Sequence, residues 1–131
     1  MTTLTLESRR AVELIDVTRE VRQAIRSSGI RNGLAVVFTP HTTAAVTINE
    51  NADPDVVSDI IMELNKIVPL QDNYRHAEGN SAAHLKSSLV GASETLIVVD
   101  GEPLLGTWQG IYFCEFDGPR KRTLQVQVIG G

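Results

Sequence analysis

The sequence predicts one α+β domain over residues 1–131, built on a mixed or antiparallel, sandwich-like β-sheet with about three helices. Three observations carry this. At 131 residues the chain has room for one core and is too short for two. With 42% hydrophobic and 21% charged residues it falls in the globular range, away from disorder and from fibres. The strand and helix signals also lack a regular βαβα alternation, which argues against a doubly wound sheet.

Taken in order, Thr3 to Glu7 alternates polar and apolar, and Val12 to Val17 is a short apolar-rich run, so both read as strands joined in a hairpin by a turn at Ser8 to Arg10. Val17, Val21, Ala24, Ile25 and Ser28 recur at helical spacing, with Asp16 or Thr18 placed to cap the start and Gly29 to end it. Leu34 to Thr39 is a β-branched and aromatic run closed by Pro40, and Ala44 to Asn49 alternates as the next strand. His41, Thr42 and Thr43 therefore fall at the turn between them. Asp53 as cap and Pro54 at the first helical position open a helix whose stripe is Val57, Ile60, Ile61, Leu64, Ile67 and Val68, stopped by Pro69. Residues Asp72 to Asn80 read as a long polar loop, after which Asn80 or Ser81 caps a helix carrying Leu85, Leu89 and Val90. Glu94 to Val99, Leu104 to Phe116 and Arg122 to Ile129 complete the β content, the last turning Leu124, Val126 and Val128 inward.

Composition excludes several classes of function. The longest apolar run is five residues, Leu34 to Phe38, so no segment spans a bilayer. The start of the chain lacks the basic and apolar blocks of a secretory signal, and the expected location is the cytoplasm. One cysteine, Cys114, excludes an intrachain disulfide and a cysteine-only metal cage, and inside an apolar strand it reads as a buried, inert thiol. A net charge of −4 weighs against nucleic acid as a partner. Phosphate-loop, GxGxxG and GxSxG patterns are missing, which removes nucleotide hydrolysis, dinucleotide chemistry and serine hydrolysis.

Polar chemistry collects in three segments: His41-Thr-Thr-Ala-Ala-Val-Thr-Ile-Asn49-Glu50, His76-Ala-Glu78-Gly-Asn80-Ser-Ala-Ala-His84, and Gly106 through Trp108-Gln109 to Glu115, Arg120 and Arg122. All three histidines lie in the first two. Three imidazoles with a fourth position left to water describe an open metal site, while single histidines that cap a helix or hold a hydrogen bond explain the same residues. Thr42, Thr43 and the trio Arg120, Lys121 and Arg122 supply hydroxyls, turn amides and guanidinium forks suited to phosphate oxygens; satisfied turn backbone and a solvated strand end are the plainer account. Glu50, Glu78 and Glu115 are candidate acids or bases, or simple surface carboxylates. Trp108 and Gln109 fit either core and loop or a pocket wall.

Taken together, the three segments, extended through Leu85 and Lys86 and through Asp117-Gly-Pro-Arg120, resemble the YjbQ-like family, known as secondary thiamine-phosphate synthases. The resemblance runs nearly end to end. It implies an α+β subunit assembled as a homotrimer, with a metal-associated polar pocket near the subunit boundary. By that resemblance His41, His76 and His84 hold a divalent metal, zinc or, with a diphosphate substrate, magnesium. Glu50, Glu78 and Asn80 take catalytic positions, and Thr42, Thr43, Asn49, Gln109, Glu115 and Arg120 bind substrate. The implied reaction joins a pyrimidine-methyl diphosphate to a thiazole phosphate and releases pyrophosphate, a weak transferase activity on phosphorylated small molecules. A metal-dependent phosphohydrolase and a non-catalytic metal- or anion-binding module are the alternatives.

Overall fold

The computed structural model describes residues 1–131. In chain order the elements are β1 (Thr2–Glu7), β2 (Glu13–Asp16), α1 (Thr18–Ser28), β3 (Gly33–Phe38), β4 (Ala44–Glu50), α2 (Pro54–Ile67), α3 (Ser81–Val90), β5 (Ser93–Val99), β6 (Glu102–Pro103), β7 (Gln109–Glu115) and β8 (Lys121–Gly130). Strands β1-β8-β3-β5-β6 form one sheet and β2-β7-β4 a second. Every strand pairing is antiparallel.

Burial explains the layers. Alternation along β3 and β8 turns Ala35, Val37, Leu124, Val126 and Val128 to one side, where they meet Val21, Ala24 and Ile25 of α1. Ala44, Val46, Ile111 and Phe113 of the small sheet close this core from across. The opposite face of the small sheet carries Leu14, Ala45, Tyr112 and Cys114, which pack with Ala83 of α3 and with Val57, Ile60, Ile61 and Leu64 of α2 at partial burial. The small sheet is therefore covered on both faces, and β7 reads as a nearly continuous buried run.

Three expectations need correcting. First, β1 and β2 do not form a hairpin: β1 pairs with β8 and β2 with β7, so the Ser8–Arg10 bend carries the chain from one sheet to the other. Next, the run from Leu104 is a strand only from Gln109, because residues 104–108 pass through a turn. Finally, Leu85, Leu89 and Ile67 are exposed, and α3 turns Ala82, Ala83, Lys86 and Ser87 inward instead. Small residues on that face let the helix approach β4 closely, and Ser87 Oγ donates to the Ala44 carbonyl at 2.6 Å.

At the helix ends, Asp53 caps α2 by accepting from the Asp55 N–H at 2.9 Å, and α1 stops at Gly29 in the left-handed conformation. No helix is long and apolar enough to cross a membrane.

Phe113, fully buried between the sheets, tests this layering. Phe113→Ala should lower the unfolding free energy by about 3 to 5 kcal/mol. Exposed Leu85→Ala should change it by no more than about 0.5 kcal/mol, both read from urea midpoints.

Candidate functional site

Two sheets that meet at one corner need a polar link there, and a buried ion pair supplies it. Glu115 ends β7 and Arg122 lies at the start of β8; their side chains are 0% and 3% exposed. Arg122 donates through Nε to Glu115 Oε1 at 2.8 Å and through Nη2 to Oε2. The same Nη2 reaches Thr43 Oγ1 at 2.8 Å and the Thr43 carbonyl at 3.2 Å, which holds the turn ahead of β4. Ser8 Oγ and the Asp117 N–H complete the shell of Glu115 at 2.7 and 3.0 Å. Burial alone would raise the Glu115 pKa. The hydrogen bonds from Arg122, Ser8 and Asp117 overcome that and hold the carboxyl below its ordinary value. At Gly118 the chain passes so close to the Ser8–Arg10 bend that a Cβ would sit 2.2 Å from the Arg10 carbonyl oxygen.

Above this link lies a cavity of about 420 Å³ whose lining is entirely polar apart from Pro40. The β3–β4 turn contributes His41, Thr42 and Thr43, the loop ahead of α3 contributes His76, Glu78 and Asn80, α3 contributes His84, and the β7–β8 connection contributes Asp117, Arg120 and Arg122. Arg120 is steered by Asp117: its Nε donates to the Asp117 carbonyl at 2.9 Å and its Nη2 to Oδ2 at 3.0 Å. Asn80 Nδ2 donates to that same Oδ2 at 2.9 Å, which ties the start of α3 to the arginine.

The histidines divide into two kinds. The Thr123 backbone N–H donates to His41 Nε2 at 3.0 Å, so that nitrogen is an acceptor and the ring proton sits on Nδ1. Burial, followed by the positive charge of Arg122, holds the His41 pKa below its ordinary value against the opposing pull of Glu115. A neutral imidazole in this tautomer is a hydrogen-bond donor at Nδ1 and not a metal ligand. His76 and His84 instead stack edge to face with centroids 5.3 Å apart, and Glu78 Oε2 lies 3.9 Å from His76 Nε2. No three donors from His, Cys, Asp or Glu converge at metal-ligand spacing.

Of the residues singled out in the sequence, His41, Thr42, Thr43, His76, Glu78, Asn80, His84 and Arg120 share this cavity. Glu115 lies beneath it as the anchor of Arg122. Asn49, Glu50 and Gln109 are elsewhere. On the β4–β7 ladder Ala44 faces Glu115, whereas Asn49 faces Gly110 and Glu50 faces Gln109, six residues along and roughly 20 Å away at the usual strand rise. Asp117 is a lining residue that sequence reasoning did not single out, and Arg122, read there with Arg120 and Lys121 as a phosphate-binding trio or a solvated strand end, is instead buried against Glu115. Arg122 had a signal: it falls in the inward register of Leu124, Val126 and Val128, which no solvated strand end would occupy.

The sequence and the architecture match known proteins throughout. The family profile described as "UPF0047 protein YjbQ-like" matches residues 2–131. The chain belongs to this family. A UPF0047 protein of Methanocaldococcus jannaschii is 54% identical over 95% of this chain and 91% of its own length. The UPF0047 protein YugU of Bacillus subtilis is 52% identical over 98% of each. A crystal structure of a YjbQ/UPF0047 family protein from Clostridium acetobutylicum superposes with a TM-score of 0.97 at 51% identity, covering 98% of this chain and all of that one. A YbjQ-like protein from Sulfolobus solfataricus gives 0.95 at 32% identity, covering 99% and 96%. The α+β reading and the YjbQ-like resemblance are thus borne out.

Two predictions follow from the corner. Glu115→Gln strips the counter-charge from a buried guanidinium and should cost about 3 to 5 kcal/mol of stability, measured by urea unfolding. His41 makes stability depend on pH. The unfolded histidine takes its proton near 6.5 and folded His41 only at lower pH, so its contribution is present above that value and lost as pH falls through the folded pKa. Urea midpoints should therefore drop as pH falls below about 6.5 in the wild type and less steeply in His41→Gln.

Proposed function

We propose that the polar cavity binds phosphorylated small molecules and joins a pyrimidine-methyl diphosphate to a thiazole phosphate, releasing pyrophosphate. The observation that carries this reading is the lining itself. Arg120, the Nδ1–H of His41, the Thr42 hydroxyl and the start of α3 surround one space of about 420 Å³ in a protein of net charge −4. Hydrogen-bond donors converging on one space suit an anion, and Arg120 and Arg122 offset the charges of Glu78 and Asp117 on the same lining.

In this reaction the bond between the methylene carbon and the diphosphate oxygen breaks, and a bond forms from that carbon to the thiazole nitrogen. The electron pair of the broken bond leaves on pyrophosphate. Donors fixed around the departing oxygens stabilise that charge, and no protein nucleophile is needed. Cys114 supports this indirectly: burial, then the charge of Glu94, pushes its thiol up to about 12, which makes it inert. His76 and His84, whose ring nitrogens have no hydrogen-bond partner, are the residues that would hold a divalent cation, with Glu78 beside them. Such a cation would neutralise phosphate charge.

We also propose a homotrimer. Leu34, Ile97 and Ile129 lie directly opposite one another on β3, β5 and β8 and are 44%, 55% and 53% exposed on the outer face of the large sheet, with Phe38 and Val99 on the same strands. An apolar row of this kind suits burial against a neighbour. Asn49, Glu50 and Gln109, remote from the cavity of their own subunit, would reach a neighbour's cavity in such an assembly. Light scattering should give a trimer for the wild type and a smaller mass for Leu34→Glu, and a monomeric wild type at micromolar concentration would end the idea.

The binding reading is tested by calorimetric titration at fixed ionic strength with pyrophosphate, thiazole phosphate and phosphate. Arg120→Lys should weaken binding on the order of ten- to a hundredfold, because the planar fork held by Asp117 is lost along with its hydrogen bonds. If none of the three compounds binds, the reading fails. Formation of thiamine phosphate from the two substrates, followed with and without divalent cation, separates turnover from binding alone.

A further inference from the structure

Lys86 is the one charged side chain that α3 turns inward, and no acidic group of the protein pairs with it. The residue is 4% exposed, and no carboxylate lies within 4 Å of its ammonium group. Its only hydrogen bond runs from Nζ to Asn65 Oδ1 on α2, which leaves two donor positions unfilled. The Phe116 ring, 6.0 Å from the nitrogen, is at the outer limit of a cation–π contact and replaces little of a counter-ion. Burial accordingly holds the Lys86 pKa below its ordinary value. A lysine in a purely structural role pairs its head or carries it out to water.

Lys86 lines a second cavity, of about 310 Å³, at the low end of the range for small-molecule pockets. Leu70 and Gly79 on its lining are exposed and leave a way in, while Ala82, Ala83 and Phe116, each no more than 5% exposed, belong to its buried side with Lys86. Asn65 lines it too, and the amide whose oxygen holds Lys86 carries an NH2 group as a second donor. Asp117 is the one acid on the lining, and it is committed elsewhere. Its Oδ2 lies 3.0 Å from Arg120 Nη2 and accepts from Asn80 Nδ2 at 2.9 Å, so its charge is offset by the arginine of the neighbouring cavity.

An ammonium and an amide in a largely apolar space match a singly charged anion with an apolar body. A phosphate group, with about two charges and three terminal oxygens, would leave both charge and oxygens unmatched here. A carboxylate has one charge and two oxygens, one for Lys86 Nζ and one for Asn65 Nδ2. We propose that this cavity is a binding site for a small apolar carboxylic acid, its carboxylate on Lys86 and Asn65 and its apolar body against Ala82, Ala83 and Phe116. The two cavities share only Asn80 and Asp117, so this site stands or falls separately from the phosphate reading.

The experiment is calorimetric titration at pH 7 and fixed ionic strength with benzoate and with benzamide, which has the same shape and no charge. Benzoate should saturate the wild type with a Kd of about 1 mM or tighter, and benzamide should bind about tenfold more weakly or worse. Lys86→Met keeps the length of the side chain and removes the ammonium, so it should weaken benzoate about tenfold or more. Its urea midpoint should equal or exceed that of the wild type, because an unpaired buried charge is replaced by an apolar group. Ala82→Leu, which fills the cavity without touching a polar group, should also abolish benzoate binding. Pyrophosphate affinity should be the same in the wild type and Lys86→Met. The site is wrong if benzoate does not bind, if benzamide binds as well as benzoate, or if Lys86→Met binds benzoate as the wild type does. Loss of folding in Lys86→Met would mark a structural lysine and overturn it as well.

Discussion

The ion pair between Glu115 and Arg122 is the constraint on which the rest of the site depends. A carboxylate and a guanidinium with almost no exposure are tolerable only with further hydrogen bonds beyond their own pairing. Ser8, Thr43 and the Asp117 N–H supply them. Each of those groups belongs to a different stretch of chain: the bend after β1, the turn before β4 and the connection after β7. Satisfying one buried pair therefore fixes three segments at the corner where the sheets meet. The cavity above it is built from two of the three, together with the start of α3. Its polarity is a consequence of that geometry, since apolar side chains there would leave the pair's neighbours unpaired.

Packing on the far side of the small sheet brings the remaining walls into place. Ala45 on β4 faces Ala83 on α3, and the Ser87 hydroxyl bonds to the Ala44 carbonyl. Side chains this small let the helix lie close to the strand, which carries Asn80 and His84 at its first turn up to the threonine turn. The same closeness leaves Lys86 little to pair with except Asn65 of α2. The helix thus supplies one wall of the histidine cavity.

Much of this was legible in the sequence, because the signals were local. Pro54 after Asp53, the alternation of Leu124, Val126 and Val128, and Pro40 after a β-branched run each state a backbone preference within a few residues. The grouping of His41, His76, His84 and Arg120 also emerged, because polar motifs in an otherwise ordinary composition stand out. What stayed hidden was non-local. The partner strands of β1 and β2 are set by which faces need covering and not by the turn between them. Asn49, Glu50 and Gln109 look like neighbours of the threonine turn, yet a strand carries them far from it. The tautomer of His41 depends on a backbone N–H more than eighty residues away. Lys86 was hidden behind Leu85 and Leu89, whose apolar character suggested the wrong inward face.

The central claim, that the corner held by Glu115 and Arg122 shapes an anion site, is tested most directly by a crystal structure of the protein grown with pyrophosphate. The account requires density for pyrophosphate in the histidine cavity, with Arg120 and the Nδ1–H of His41 on its oxygens and the Glu115–Arg122 pair unbroken beneath it. Pyrophosphate bound only elsewhere on the surface, or bound by pulling Arg122 away from Glu115, would contradict it.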